Sequence, residues 1–349
     1  MARNQRIFYA CQAVAICPRG TTNPLEQHVA HGVQSVGMTS TFTLDQVFEL
    51  GQIEIYENIE EVADVEVTIE KVIDGDKLIY DLATDGQCKV GVVPASKARS
   101  DVYVAIFDDG QNQATGVPKN VCMNSGMFVS SVAYNYSVDG SATESVTLVG
   151  NDRFWNDYAG VVVAPNTSWT GGANGADLLG EAGINGSDAA QSGVVRRVNC
   201  DITSSAIPAL VRAQGGDDSS TEAGRSDNAH IQSISVSTDF AQENIQELGR
   251  FGPYTRYATF PIEVTCDFEV IATSGDLINV SGTHPNLTNE EIRIQDTAGT
   301  VLDLGNKNKL SSVSYTGGDT GGGNATVTFS FSNFNVLTVD GGSYQDVTP

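Results

Sequence analysis

Long stretches of the chain alternate apolar and polar residues, which is the pattern of β-strands that are buried on one face. The alternating segments are rich in β-branched side chains, which favour strands. Two kinds of segment each occur twice. The shorter kind lies at residues 33–41 and 231–238, and the longer kind at residues 64–73 and 262–272. The chain is therefore predicted to be mainly β.

The long segment at residues 64–73 separates its charges from its apolar side chains. Val65 and Ile69 fall on one face of the predicted strand, while Glu66 and Glu70 fall on the other. A turn at Asp74 and Gly75 is predicted to close a hairpin over residues 64–82. The acids on its outer face are expected to meet water or a partner.

Two short helices are predicted, Leu44–Leu50 and Phe240–Leu248, each directly after one of the shorter strands. Before each helix stands a residue whose side-chain oxygen can cap it, and a glutamine follows three residues later, which is the spacing of a capping box. Each ends at a glycine, which adopts the left-handed C-cap conformation without a Cβ clash. The residues concerned are Thr43, Gln46 and Gly51 in the first helix and Asp239, Gln242 and Gly249 in the second.

The two sets of elements form an internal repeat. Residues 33–36 read Val-Gln-Ser-Val and residues 231–234 read Ile-Gln-Ser-Ile, a spacing of 198. Residues 65–68 match 262–265 at a spacing of 197, and residues 146–147 match 327–328 at a spacing of 181. Since the matches are collinear, we predict two copies of one domain. Their bounds are 1–155 and 194–349, and a Gly/Ala/Asn-rich linker or insertion lies at 156–193.

The composition restricts the classes of partner. The 349 residues include 19 basic and 43 acidic side chains, a net charge of −24, which repels nucleic-acid phosphates and anionic membranes. An apolar fraction of 40% is enough for a packed core. No uninterrupted apolar stretch reaches the length of a membrane span. Residues 7–17 alternate like a strand rather than forming the apolar segment of a signal peptide.

Motifs that would carry chemistry are missing from the sequence. His28 and His31 lack further ligands at metal-site spacing, so we expect no metal. The glycine-rich runs lack the lysine and the strand–helix context of a phosphate-binding loop, so no cofactor is expected. Six scattered cysteines fit free thiols better than a disulfide framework. No nucleophile–base arrangement is recognisable, and we expect no catalytic residues and no enzymatic activity.

Two segments, residues 130–155 and 231–270, resemble the tail tube proteins of bacteriophages. The resemblance lies in Leu-Gly-Arg at 248–250 with Gly-Pro-Tyr at 252–254, and in Phe-Pro-Ile-Glu-Val-Thr at 260–265. It also includes Glu-Ser-Val-Thr-Leu-Val-Gly-Asn-Asp at 144–152, followed by Trp155. These motifs are structural rather than chemical.

The resemblance implies a fold and an assembly. Two tandem tail-tube-like β-sandwich or barrel domains are expected, each with one short α-helix and a long β-hairpin. Rings of six such units stack into a tube with an acidic lumen, through which genomic DNA passes as cargo that is not bound. Because each chain has two copies, we expect a trimeric ring with pseudo-sixfold symmetry, or a ring of six chains if the second copy faces outward. Further expected partners are the tape measure, neck and distal tail proteins, in a virion tail assembled in the host cytoplasm.

Two other functions stay open at this stage. One is a tube-initiating, distal tail or neck ring protein of the same fold, and the other is a ligand-binding β-sandwich or adhesin. Assembly contacts are expected at the 64–82 hairpin and in the loop after Gly249, with two arginines as candidate ring contacts. The residues assigned to assembly are Gly51, Tyr56, Glu66, Glu70, Gly75, Gly249, Arg250, Tyr254, Arg256 and Glu263.

Overall fold

A computed structural model describes eleven stretches of the chain, and the chain there is mainly β. They are residues 7, 9–20, 28–84, 89–107, 120–155, 193–201, 205–215, 229–273, 275–280, 287–318 and 323–341. The predicted linker, residues 156–193, lies outside them apart from Gly193.

Nineteen strands run through the described residues. Those of the N-terminal part are β1 (Gln12–Pro18), β2 (Val33–Thr41), β3 (Leu44–Phe48), β4 (Ile55–Glu60), β5 (Asp64–Val72), β6 (Lys89–Gly91), β7 (Ser100–Ile106), β8 (Asn120–Ser137), β9 (Thr143–Gly150) and β10 (Asp152–Trp155). The C-terminal part contains β11 (Ile231–Asp239), β12 (Gln242–Ile245), β13 (Thr255–Ala258), β14 (Glu263–Ile271), β15 (Arg293–Gln295), β16 (Val301–Asp303), β17 (Lys309–Thr316), β18 (Thr326–Phe334) and β19 (Thr338–Asp340).

The α-helices are short. They are α1 (Ile79–Ala83), α2 (Val92–Ala95) and α3 (Ala209–Arg212). All five side chains of α1 are buried, so this helix is held by packing rather than by its own length.

Eight strands form one continuous antiparallel path in the order β17-β18-β14-β11-β8-β9-β5-β2. We call β2, β5, β8 and β9 the first half of this path, and β11, β14, β17 and β18 the second half. Read in chain order, each half has the same arrangement: its first strand pairs with its second, the second with the fourth, and the fourth with the third. The two halves meet where β8 pairs with β11.

Smaller sheets complete the structure. The N-terminal part of β8 pairs with β7 and β10, and β7 pairs with β1. A second sheet has the order β15-β16-β19-β6. Two hairpins stand apart, β3–β4 and β12–β13.

The core lies under one face of the eight-stranded path. Strands β5, β9, β14 and β18 alternate strictly between buried and less buried positions, so their side chains divide between the core and the outer face. Phe268 and Phe331 meet edge to face in this core, with ring centroids 6.0 Å apart.

Three local predictions from the sequence are wrong. Where helices are predicted at Leu44–Leu50 and Phe240–Leu248, the chain forms the hairpins β3–β4 and β12–β13. The predicted hairpin over 64–82 does not form, because Lys77 and Leu78 lead into the buried helix α1. The short helices of the fold are therefore at other positions than predicted.

The strand pairing also corrects the spacing of the repeat. Val65 pairs with Ser40, and Val264 pairs with Thr238, so β5 corresponds to β14 at a spacing of 199 and not 197. Likewise, β9 corresponds to β18 at 183 rather than 181. The pairing gives a spacing of 198 between β2 and β11 and of 181 between β8 and β17. A bulge lies at corresponding positions in β2 and β11, and another at corresponding positions in β8 and β17.

Candidate assembly interface

The joint between β8 and β11 connects the two halves without a break in hydrogen bonding. Seven residue pairs run from Ser137 opposite Ser233 to Ser131 opposite Asp239. The joint is closed at its ends by the amide of Val138, which donates to Gln232 O at 3.0 Å, and by that of Phe240, which donates to Ser130 O at 2.7 Å.

The side chains below this joint are part of the main core. Tyr134 and Val236 face each other across the joint and are both fully buried. Neighbouring Tyr136 and Ile234 are almost as deeply buried. The joint is therefore as well packed as the interior of either half.

The β12–β13 hairpin of the second half lies on the first half. The Arg256 side chain, 8% exposed, forms an ion pair with Asp64 and donates to Asn151 Oδ1 at 3.3 Å. Gln242 Nε2 donates to Val129 O at 2.9 Å, on the same face of the hairpin. These contacts fix the hairpin across the joint, beyond the strand pairing itself.

The outer strands of the path, β2 and β17, pair with no further strand among the described residues. By the repeat spacing, Met38 corresponds to Val236 and Tyr315 to Tyr134, the two side chains that are fully buried at the joint. At the free edges Met38 is half-buried and Tyr315 is 52% exposed. Unpaired strand edges are templates for pairing with another chain.

The β3–β4 hairpin is exposed along its whole length. It carries an unusual number of exposed apolar side chains for a solvated hairpin, among them Leu44, Val47, Phe48, Leu50, Ile53, Ile55 and Ile59. Exposed apolar side chains in this number mark a candidate interaction site.

The outer face of the eight-stranded path is covered by hydroxyl and carboxyl groups. The acids stand mainly on the two corresponding strands, with Glu66 and Glu70 on β5 and Glu263, Asp267 and Glu269 on β14. Serine and threonine dominate the neighbouring strands β9, β11 and β18, including Ser145, Thr147, Ser235, Ser237, Ser330 and Ser332. The face is thus polar, with two acidic stripes per chain.

The assembly residues predicted around the two hairpin turns are at the surface. Gly51 and Gly249 have left-handed φ angles of 95° and 83°, as expected, but they lie in hairpin turns and not at helix C-termini. Tyr56 and Tyr254 are exposed, and the Arg250 guanidinium lies 5.9 Å from the centre of the Tyr254 ring.

The other predicted assembly residues are at different kinds of position. Glu66, Glu70 and Glu263 are exposed on the outer face, and Ser35 Oγ donates to Glu70 at 3.3 Å. Gly75 has a φ of 82° in the segment that leads to α1. Arg256 is buried in the contact between the two halves of its own chain.

A buried polar group near α1 was not predicted from the sequence. Glu144 accepts hydrogen bonds from the amides of Ile79 (2.6 Å) and Tyr80 (3.1 Å) and from the Tyr134 hydroxyl (3.0 Å). Burial raises the pKa of the Glu144 carboxyl, against the opposing effect of the Lys71 ammonium. The signal was present, since Glu144 is in phase with the inward residues Val146 and Leu148.

No metal-binding arrangement accompanies these surfaces in the described part of the chain. Its His, Cys, Asp and Glu side chains form no cluster of three that could hold a metal ion. No helix among the same residues is long and apolar enough to cross a membrane. The features that call for a partner are the free edges and the exposed hairpin.

Comparisons with known proteins give weak structural neighbours. No protein-family model matches the sequence, and no curated protein matches it. Among solved structures, the chain is similar to the baseplate of the anti-feeding prophage, with a TM-score of 0.31, 13% identity, and coverage of 45% of this chain and 97% of the other. It is also similar to the sheath–tube complex of the PVC extracellular contractile injection system (TM-score 0.33, 10% identity, 44% and 94% coverage). A third similar structure is the tube-terminating cap of the anti-feeding prophage, with a TM-score of 0.32, 10% identity, and coverage of 45% of this chain and 94% of the other. Likeness at this level carries no argument about function.

Proposed function

We propose that the chain is a structural subunit of a bacteriophage tail tube, and that it forms a ring by joining the free edge of β17 to the free edge of β2 in the next chain. The observation that supports this is the joint within the chain, where the strand corresponding to β17 already pairs with the strand corresponding to β2. Each chain therefore contains one complete joint and the two halves of another.

The internal joint also supplies the register of the proposed one. Val236 pairs with Tyr134 and Thr238 with Val132. Moving each residue by its repeat spacing places Met38 opposite Tyr315 and Ser40 opposite Val313. Pairing in this register would bury Tyr315 as Tyr134 is buried, and would satisfy the unpaired edge groups.

We propose three chains per ring. Three chains supply six four-stranded units, and the sequence similarity between the halves makes their rotation about the ring axis nearly equivalent. The alternative of six chains requires the second half to face outward. The continuous pairing of β11 with β8 favours the trimer, because it keeps both halves in one sheet.

The outer face of the eight-stranded path suits the lumen of such a tube. Its carboxylates on β5 and β14 repel DNA phosphates, while its serine and threonine hydroxyls offer only weak, uncharged contacts. DNA can then pass as cargo without being retained.

The test is assembly of the purified full-length chain, followed by light scattering and negative-stain microscopy. Trimeric rings that stack into tubes are the expected result. Isolated rings that never stack would favour the tube-initiating or terminal ring protein instead. Monomers at high protein concentration would overturn the proposal and leave the ligand-binding module.

A proline at the free edge tests the proposed joint. The amide of Phe240 donates across the internal joint, so the amide of Thr238, two residues earlier, points to the same side. Ser40 corresponds to Thr238, and its amide therefore points to the free edge of β2. Ser40→Pro removes one donor from the free edge without breaking the pairing of β2 with β5. We expect chain association about tenfold to a hundredfold weaker, because each joint then has one backbone carbonyl without its donor, at a cost of about 1–3 kcal/mol. Ser40→Ala is the control, and equal association of both variants would contradict the joint.

A further inference from the structure

We infer that the β3–β4 hairpin of one chain packs on the second half of the neighbouring chain, in the way that β12–β13 packs on the first half within a chain. This inference rests on the proposed ring. It assigns a second copy of this chain as the occupant of the exposed hairpin surface.

The two hairpins correspond residue by residue at the spacing of 198. Leu44 pairs with Glu60 and Gln46 with Asn58, as Gln242 pairs with Ala258 and Asn244 with Arg256. In the second hairpin, the face with Gln242 and Arg256 contacts the first half. The corresponding face of β3–β4 is the one with Leu44 and Asn58.

The receiving surface follows from the strand pairing of the second half. Asp64, the partner of Arg256, directly precedes Val65, and Glu263 directly precedes the corresponding Val264. Glu263 is exposed, as a free receiving site requires.

The second receiving residue is apolar. Asn151, which accepts from Arg256, follows the residue that pairs with Val65. Phe334 follows the residue that pairs with Val264, and its side chain is 54% exposed. Leu44 on the incoming hairpin is 52% exposed. Leu44 takes the place of Gln242, which donates to Val129 O, so it would lie at Leu310, the residue that corresponds to Val129. Phe334 would lie at Asn58, which takes the place of Arg256, and both apolar side chains would be removed from water.

The ring then alternates two kinds of joint. Joints within a chain have the Arg256–Asp64 ion pair. Joints between chains have Asn58 and Glu263 in these positions, with no cation opposite the acid, and rely on Leu44 and Phe334. The tips of both hairpins, at Leu50 and Leu248, are exposed and lie outside this contact.

Supplying the missing arginine tests the inference. In the full-length chain, Asn58→Arg should form the ion pair with Glu263 and tighten chain association about fivefold. Glu263→Gln should cancel this gain in the double variant. Asp45→Asn makes the same change in net charge on the opposite face of the hairpin, where the corresponding Glu243 is exposed, and should give no comparable gain.

Cross-linking supplies a second measurement that separates this inference from the ring itself. Asn58→Cys combined with Phe334→Cys, the pair that corresponds to Arg256 and Asn151, should give a disulfide between chains under mild oxidation, and either cysteine alone should not. Within one chain, Phe334 ends β18 and the β3–β4 hairpin connects β2 to β5, so at least five strand spacings, about 24 Å along the sheet, separate the two positions, too far for a disulfide. Rings that form without this cross-link and without the charge coupling would overturn the inference and leave the proposed function standing. Absence of rings in the unmodified chain would overturn both.

Discussion

The two halves of the eight-stranded path have the same strand order but different chemistry at one corresponding position in the core. In the first half, Lys71 pairs with Glu144 across β5 and β9, and both are fully buried. In the second half, the corresponding pair across β14 and β18 is Val270 with Val327. The strand order therefore does not depend on which residues fill this position. It requires only that they point inward and that polar groups find partners.

The polar pair, Lys71 and Glu144, lies at the start of helix α1. Glu144 accepts from two backbone amides at the start of α1, and Lys71 Nζ donates to Lys77 O at 2.7 Å in the segment that leads into it. Lys71 Nζ also forms an ion pair with Asp74 Oδ1 at 3.3 Å. The first half thus uses buried charge to position a connection, while the second half fills the same place with apolar side chains.

The largest effect on stability is expected from Glu144→Val, which gives the first half the residue type of the second. The change leaves the Lys71 ammonium buried and removes the acceptor of two amides and of the Tyr134 hydroxyl. Each buried donor that loses its acceptor costs about 1–3 kcal/mol, so we expect a total loss of about 3–5 kcal/mol. Urea unfolding of the purified protein measures the loss.

Two further variants show whether the loss comes from the unpaired charge. Lys71→Met combined with Glu144→Val should lose less than Glu144→Val alone, because no ammonium then stays buried with Asp74 as its remaining nearby carboxylate. Glu66→Val, at an exposed position of the same β5 strand, should change stability by no more than about 0.5 kcal/mol. A loss below about 1 kcal/mol for Glu144→Val would show that the polar pair is dispensable.

The alternation of apolar and polar residues was sufficient to predict the main strands and the mainly β fold. It did not predict which residues correspond between the halves. The alignment from the sequence was two residues off for β5 with β14 and for β9 with β18. A displacement of two keeps every side chain on its own face, so the pattern cannot detect it. The hydrogen-bonded register decides between the alternatives.

The two predicted helices failed for a different reason. Leu44, Val47 and Phe48 have helical spacing, and the capping signals agree with it. A helix of about two turns is marginal without packing, and the same residues form a hairpin once β2 and β5 fix its ends. The left-handed glycine at position 51 was predicted correctly, since a hairpin turn and a helix C-cap both use this conformation.

The contact of Arg256 could not be predicted from local sequence. Its ion-pair partner, Asp64, is 192 residues away. The pairing of β8 with β11 brings the two elements together. The candidate interface is therefore a property of the tertiary structure, although several of its residues were singled out from the sequence.

The two hairpins provide the next test of the comparison. Arg256→Ala removes a mostly buried guanidinium and its bonds to Asp64 and Asn151, and we expect a loss of about 1–3 kcal/mol in the monomer. Asp64 is 60% exposed and can be hydrated, which keeps the loss below that of a fully buried pair. Asn58→Ala, at the corresponding exposed position, should leave monomer stability within about 0.5 kcal/mol. Equal losses for the two variants in urea unfolding would show that the seated hairpin is no more strongly held than the exposed one.

The smallest expected effect concerns Asp81, on α1 beside the polar pair. Burial raises the pKa of the Asp81 carboxyl well above its usual range, and the charges of Glu144 and Asp340 add to the shift. Its Oδ1 atom has no hydrogen-bond partner among the described residues. The folded state therefore binds this proton more tightly than the unfolded chain does.

This shift fixes the sign of the pH dependence. The stability that Asp81 contributes is fully present below its unfolded pKa, about 4, and is lost as the pH rises through the raised folded pKa. Asp81→Asn keeps a neutral side chain of the same shape, so the variant should be more stable than the unmodified protein at pH 8 and of nearly equal stability at pH 4. Urea unfolding at both pH values measures the difference, with Glu66→Gln as an exposed control. A gain that is equal at the two pH values would mean that the proton on Asp81 is not its source, and that the first half tolerates a buried carboxylate here as it tolerates Glu144.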